Sequence, residues 1–211
     1  MPFLSTLAAT LVGATLLMST TPGVAAKAET WRFDPVHTQV VFFADHLGFS
    51  HGIGRMKVRE GWLRFDVADW STAQVDVTLD IGSLDMGEAK WTQAVQSGRF
   101  LDSARWPTAH FVSTSVEKTD AGNGLVHGQL TLHGVSKPVT LAITFNRIGR
   151  DPYAFKTKAG FTARTTLNRF DFGIERFRDV VGAEVELRIE VEAIRDKNAV
   201  DEESRNAAEE H

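Results

Sequence analysis

Hydrophobic and polar residues alternate along most of the chain, most clearly in residues 124–145, GLVHGQLTLHGVSKPVTLAITF. Val126, Leu130 and Leu132 fall on even positions with Gly128 among them, and polar residues fill the positions between. After HGVSKP the alternation resumes, with the apolar residues now at odd positions. A period of two on both sides of a short connection containing Gly and Pro predicts a β-hairpin with one buried face.

The same alternation predicts strands on both sides of this hairpin. The segment 54–66 is interpreted as two extended pieces joined near Arg59–Gly61, and HLGFSHGIG before it as a loop or short turn. The remaining predicted strands lie within segments 31–52, 73–81, 107–118, 157–167 and 183–193.

One segment departs from the period of two. In GEAKWTQAVQSGRFLD, Trp91 and Val95 recur at helical spacing, and Gly98 is a suitable helix end. The pattern therefore predicts one short helix over residues 88–98.

Half-polar strands in this number are typical of an antiparallel all-β fold. We predict a closed barrel of about eight strands, because closure removes exposed strand edges. An interior of that size is either filled with side chains or holds one ligand. Small residues are frequent on the faces predicted to point inward, which favours an apolar cavity. These residues are Ala44, Ala109, Ser113, Ser115, Ala159 and Ala163.

Composition limits the classes of function. The chain has 211 residues with 43% hydrophobic and 24% charged residues, as expected for one globular domain. Its net charge of −4 gives no basic field for nucleic acid and no electrostatic membrane patch. There is no cysteine, which excludes a thiol nucleophile, a thiolate zinc site and disulfides.

The two ends of the chain differ from the body. Residues 1–28 contain an apolar stretch too short to span a bilayer comfortably, followed by small residues. We interpret them as an export signal cleaved after Ala26 or Ala28, although no basic residue precedes Lys27. An uncleaved amphiphilic anchor is the alternative. The expected location is therefore the periplasm, with a domain over residues 29–196. The acidic residues 197–211 are interpreted as a solvated, mobile tail.

No catalytic constellation is evident. The histidines are scattered without a compact set of zinc ligands, and no serine lies in a nucleophile elbow. We therefore predict neither a metal site nor an enzyme. The histidines considered were His37, His46, His51, His110, His127 and His133.

Several phrases together resemble the YceI-like family, whose members are lipocalin-like barrels that bind polyisoprenoids and related lipids. The resemblance covers residues 31 to about 194. Its most recognisable phrase runs from Gly128 to Val139, and others run from Asp34 to Gly48 and from Arg169 to Gly173, in the family's order and spacing.

The resemblance implies periplasmic binding, transport or sequestration of an elongated apolar lipid, such as a polyisoprenoid, an isoprenoid quinone or a fatty amide. No other cofactor is expected. The inward apolar residues are either plain core or lining that touches the lipid tail. The predicted lining is Val40, Phe42, Phe65, Val77, Leu79, Phe111, Leu130, Leu132, Phe161, Ala163 and Phe172. The residues considered for the head group or the mouth are His37, His46, Trp91 and Arg169.

One departure from the family pattern concerns the predicted helix. Family members usually carry Arg-Asp-x-His-Leu-Arg there, whereas this chain has WTQAVQ at residues 91–96. We therefore expect a ligand less polar than a prenyl phosphate. Two alternatives stay open, an accessory protein that supplies quinone to a membrane cytochrome and a lipid-processing enzyme. A homodimer is also left open.

Overall fold

The computed structural model describes residues 28–199, which form nine β-strands, one α-helix and two short 3₁₀ helices. The strands are β1 (Glu29–Phe33), β2 (Gln39–His46), β3 (Ser50–Phe65), β4 (Gln74–Asp85), β5 (Thr108–Lys118), β6 (Asn123–Leu132), β7 (Val135–Arg150), β8 (Thr157–Asn168) and β9 (Val181–Arg195). The α-helix is α1 (Ala89–Gln96), and the 3₁₀ helices are Trp70–Thr72 and Arg169–Phe172.

All strand pairings are antiparallel, and the pairing of β3 with β4 closes the sheet into a barrel. Strand β2 pairs with the first half of β3, while β1 pairs with its second half. Both also pair with β9. Segments β1 and β2 therefore share one position, and nine segments make an eight-position barrel. The predicted all-β barrel and its short helix are confirmed.

The β6–β7 hairpin has a tighter turn than its sequence indicated. Only His133 and Gly134 connect the strands, both with positive φ (52° and 76°). Leu132 already pairs with Val135, so most of the predicted connection HGVSKP belongs to β7. A two-residue turn with positive φ fits the twist of a hairpin.

Two predictions about individual strands were wrong. Segment 54–66 is not two pieces but part of the single strand β3, whose register shifts between Val58 and Glu60. A second shift, between Ser113 and Ser115, leaves Ser115 exposed and buries Val116 instead. An extra residue in a β-bulge reverses the side on which later residues point, and simple alternation does not predict it.

The barrel has two distinct ends. At the first, called the helix end, lie the β2–β3, β6–β7 and β8–β9 connections together with the β4–β5 connection that contains α1. The other end is called the base end. There, rings pack with centroids 5.1–5.4 Å apart, and Trp70 is only 2% exposed. This aromatic plug closes the base, and its members are Phe65, Trp70, Phe145 and Phe161.

A lysine ties the base-end connections together. The Lys158 ammonium lies 2.8 Å from Glu192, 3.0 Å from Asp151 and 3.6 Å from Asp34. Hydrogen bonds to Glu192 and Asp151 raise the pKa of Lys158. The pKa of Asp151 falls to about 2, because the Ala154 backbone N–H and then Lys158 donate to its carboxylate.

Within residues 28–199, no helix has the length and apolar character needed to cross a bilayer. The predicted signal, residues 1–28, and the acidic tail, residues 197–211, fall almost wholly outside the described part of the chain.

Candidate functional site

The barrel encloses two adjoining apolar chambers. The base chamber has a volume of about 140 Å³ and the helix-end chamber about 190 Å³. Leu167 and Leu187 line both chambers and so mark the boundary between them. An apolar cavity of about 150 Å³ accommodates a molecule the size of benzene, so the two chambers together provide space for a longer apolar guest.

The base chamber is lined almost entirely by aliphatic and aromatic side chains. Val77, Leu79 and Leu130 lie mid-strand and face inward, yet each is only half-buried. In a close-packed interior such residues would be fully buried. Their remaining accessible surface faces the void, and no exposed residue lines this chamber.

The helix-end chamber reaches the surface beside α1. Trp91 and Ala94 of that helix line the chamber and are also exposed, while Asp45 and His46 at the end of β2 are half-buried. These residues define the mouth. Below it, the walls are apolar and include Phe42, Met56, Leu132, Val185 and Ile174.

Helix α1 is held at the mouth by polar contacts near its ends. The Glu88 carboxylate caps the helix by accepting from the Trp91 backbone N–H at 2.8 Å. The Met86 N–H donates to the Thr92 hydroxyl at 3.0 Å, and the Gln96 amide donates to the Gly82 carbonyl at 3.0 Å. No residue of α1 is fully buried.

Trp91 packs on a glycine of the wall. Its indole atoms lie 3.6 Å from the position that a Cβ on Gly52 would occupy. The His46 ring meets the indole edge-on, with centroids 6.2 Å apart. A Cβ at Gly52 would make only ordinary van der Waals contact with the indole, so Trp91 packs close to β3 at this point.

Arg169 lies in the wall of the helix-end chamber but is committed to the backbone. Its side chain donates to the carbonyls of Gly182 (2.9 Å), Ile174 (2.5 Å), Arg176 (2.9 Å), Phe177 (3.5 Å) and Val181 (2.8 Å). A guanidinium has five N–H donors, so all are used. Burial, and then the nearby charge of Arg178, lowers the pKa of Arg169. This residue is only 5% exposed and organises the β8–β9 connection.

One group among residues 28–199 has the spacing of metal ligands. Asp34, His37 and Glu192 offer ligand atoms within 4.8 Å of one another. The Lys158 ammonium already lies 2.8 Å from Glu192, however, and would face any bound cation at short range. Burial alone would raise the pKa of Asp34, but hydrogen bonds from His37 and Val36 outweigh it and lower the pKa. The arrangement is that of an ion-pair cluster.

Residues 31–193 match the YceI-like domain. The chain belongs to the YceI-like family. A UPF0312 protein of Shewanella denitrificans is 37% identical over 193 residues, which cover 90% of this chain and 97% of the relative. A UPF0312 protein of Pseudomonas savastanoi is 41% identical over 139 residues, which cover 66% of this chain and 72% of that protein.

Solved structures of YceI-like and related proteins share the barrel. A Campylobacter jejuni YceI protein has a TM-score of 0.65 and 25% identity, covering 89% of this chain and 100% of its own. BcnA of Burkholderia cenocepacia has a TM-score of 0.67 at 20% identity, covering 76% and 98%. A polyisoprenoid-binding domain of Saccharophagus degradans has a TM-score of 0.60 at 13% identity, covering 81% and 100%.

In this YceI-like barrel, the apolar residues singled out from the sequence all lie in the chamber walls. The base chamber contains Val40, Phe65, Val77, Leu79, Phe111, Leu130, Phe161 and Ala163. The helix-end chamber contains Phe42, Leu132 and Phe172, together with His46, Trp91 and Arg169.

His37 does not belong at the mouth, contrary to the prediction. It lies in the β1–β2 turn at the base end, exposed and hydrogen-bonded to Asp34 at 2.8 Å. Strand β2 has eight residues, so about 26 Å separate this turn from His46 at the other end. Two histidines that are close in sequence therefore lie at opposite ends of the barrel.

Sequence reasoning missed part of the lining. Some missed residues lie on strands whose alternation was recognised, and these are Leu141, Ile143, Leu187, Ile189 and Val191. Others come from irregular segments or from the register shift in β3, where no periodic signal exists. Those are Met56, Met86, Phe100, Leu101 and Ile174.

Proposed function

We propose that this YceI-like protein binds one elongated apolar lipid inside the barrel, such as a polyisoprenoid, an isoprenoid quinone or a fatty amide. The observation that carries the proposal is the pair of adjoining chambers with aliphatic and aromatic walls. The polyisoprenoid-binding domain of Saccharophagus degradans, which has a similar fold, supports it.

The tail would lie in the base chamber and pass Leu167 and Leu187 toward the helix end. The aromatic plug at the base favours entry by the mouth. Burial of ten methylenes contributes about 8 kcal/mol before ordering costs, at about 0.8 kcal/mol each. That is of the order needed for micromolar binding without any polar contact. The proposed mechanism is desolvation of the tail, with no bond made or broken.

The head group would lie at the mouth, near Asp45, His46 and Trp91. Arg169 is close, but its donors are all engaged by carbonyls, so it has none left for a phosphate. A weakly polar or neutral head group fits these surroundings better than a prenyl diphosphate.

We also propose that the protein acts in the periplasm, on the strength of the signal-like residues 1–28. Cell fractionation with mass measurement of the mature chain tests this. The expected new N-terminus is Lys27 for cleavage after Ala26, or Glu29 for cleavage after Ala28. A full-length chain in the cytoplasm would contradict it.

Native mass spectrometry and organic extraction of the periplasmic protein test the ligand. We expect one lipid per chain. Ala163→Trp should abolish loading, because Ala163 is 5% exposed and lines the base chamber. Ala142→Trp is the matched control, since Ala142 is exposed on the outer face of β7. Protein without lipid, or equal loading of both variants, would overturn the proposal.

A further inference from the structure

Large apolar side chains surround the mouth on the outside. We call Leu47, Phe49, Trp91 and Phe177 the mouth rim. Their exposed fractions are 50%, 87%, 42% and 44%. They come from the β2–β3 turn, from α1 and from the β8–β9 connection. Exposed apolar groups that gather around an opening indicate a contact surface.

The mouth rim is continuous with the cavity wall. Trp91 belongs to both, because it lines the chamber and is exposed. Phe177 stacks on Phe100, a chamber residue, with ring centroids 5.5 Å apart. The Leu47 N–H donates to the Val180 carbonyl at 3.0 Å and so joins two rim segments. An apolar molecule could therefore move from the rim into the chamber without crossing water.

The backbone conformation of Leu47 is a second indication that the mouth rim is a contact surface. Leu47 has φ of 57° and precedes Gly48 at 70°. A bulky side chain in the left-handed region is unfavourable there, whereas Asn would adopt it readily. The side chain of Leu47 also remains half exposed. Neither the turn nor the core explains an apolar residue at this position.

The base end also exposes apolar side chains, Tyr153 at 92% and Phe155 at 72%. At that end the buried Trp70 packs against the rings of Phe65 and Phe145, and among the described residues no exposed one lines the base chamber. The base end also carries the Lys158 ion-pair cluster. Within residues 28–199, it is at the helix end that exposed apolar side chains adjoin chamber-lining residues that are themselves exposed.

We infer that the mouth rim docks on the surface of a lipid bilayer, an inference that rests on the proposed lipid-binding function. Leu47, Phe49 and Trp91 would enter the interfacial region, where aromatic and aliphatic side chains are favourable. A lipid tail then passes from the bilayer to the chamber through apolar surroundings.

The charges at the helix end do not select an anionic membrane. Its cations include Lys90, Arg99, Arg105, Arg176 and Arg178, and carboxylates are at least as numerous there. Those carboxylates are Asp45, Glu88, Asp102, Asp171, Glu175 and Asp179. Docking therefore depends on apolar insertion, and it should respond little to salt or to anionic lipid.

Flotation of the mature protein with phosphatidylcholine vesicles tests the inference. The double variant Leu47→Asn/Phe49→Ser should lower vesicle partitioning by at least about tenfold, equivalent to about 1.4 kcal/mol. The matched control is Phe155→Asn/Tyr153→Ser at the base end. Phe155 also has positive φ, at 55°, so both variants make the same kinds of change. The control should partition like the wild type.

Absence of wild-type partitioning, or equal loss in both variants, would overturn the inference. A strong dependence of vesicle partitioning on phosphatidylglycerol content or on salt concentration would also overturn the inference. Sedimentation velocity gives a further outcome. If the rim variant abolishes a dimer and leaves vesicle partitioning intact, the rim is an interface between two copies.

A vesicle-free measurement separates this inference from lipid binding itself. The neutral fluorescent probe N-phenyl-1-naphthylamine is added to the protein in buffer. The rim variant should bind it as the wild type does, but should take up a labelled lipid from vesicles at least about tenfold more slowly. Vesicle docking without any probe or lipid binding would refute the proposed function and leave docking standing. Probe binding without vesicle docking would refute the docking inference and leave the proposed lipid-binding function standing.

Discussion

The ring of Phe42 on β2 lies against Gly54, its cross-strand partner on β3. A Cβ at Gly54 would overlap this ring and would lie 2.7 Å from the sulfur of Met86. Phe42 and Met86 both line the helix-end chamber. The missing side chain on β3 therefore leaves room for the aromatic wall of the chamber.

Gly54→Ala should consequently push the Phe42 ring into the chamber or distort the strand pair. We expect a loss of roughly 1–3 kcal/mol in the free energy of unfolding, as for other overpacked cores, and weaker lipid binding. Urea denaturation and lipid titration measure the two effects. Gly122→Ala is the control, because nothing lies within 4 Å of its added Cβ. If both variants behave alike, close packing at Gly54 is not the cause.

Leu187→Trp should divide the cavity at the boundary between the chambers. A long lipid needs both chambers, so its affinity should fall at least about tenfold. A short apolar probe that fits one chamber should still bind. Titration with fatty amides of increasing chain length measures the dependence. Val112→Trp is the control, because Val112 is 36% exposed, lies on the outer side of β5 and lines neither chamber. A uniform loss for every chain length would contradict a shared cavity.

Arg169→Lys should loosen the β8–β9 connection. An ammonium has three donors and cannot reach the five carbonyls that the guanidinium serves. We expect a loss of roughly 2–4 kcal/mol in the free energy of unfolding, from about 1–3 kcal/mol for each buried acceptor left unpaired. Urea denaturation measures the loss in the free energy of unfolding, and hydrogen exchange of amides 174–182 measures the loosening of the connection. Arg188→Lys, at an exposed cation of β9, should be nearly neutral. Unchanged exchange would mean that the connection holds without Arg169.

Asp151→Asn should change the dependence of stability on pH. The folded state lowers the pKa of Asp151 from 3.8 to about 2. Its contribution is therefore fully present above pH 3.8 and is lost as the pH falls toward 2. The wild type should lose more stability than the variant across that window. Urea denaturation at several pH values measures the difference. Parallel curves would show that the carboxylate is not stabilised in the folded state.

Prediction from the sequence succeeded where one local rule controls the structure. Trp91 and Val95 at helical spacing predicted a helix over residues 88–98, and α1 spans Ala89–Gln96. It failed where a distant partner controls the result. Ser115 was expected to point inward by alternation, but the register shift against β6 turns it outward.

In the candidate site, too, the features that distant contacts control were not predicted from the sequence. From the sequence, Arg169 was a candidate for the head group or the mouth, with a structural ion pair as the alternative. In the folded chain it instead lies within reach of carbonyls from residues 174–182, and these take up all its donors. That outcome depends on how the β8–β9 connection folds back, which no spacing in the sequence encodes.

By itself, the sequence determined the all-β class, the short helix and many of the residues that face the interior, because alternation along a strand without a bulge is a local property. Only the tertiary structure decided that the interior is hollow, that its mouth lies beside α1 and that His37 and His46 are at opposite ends. The physical reason is that a void depends on how side chains from all eight barrel positions fill the same space. His37 and His46 lie at opposite ends because β2 runs between them. The barrel itself depends on pairings such as β2 with β9, which join residues far apart in the chain.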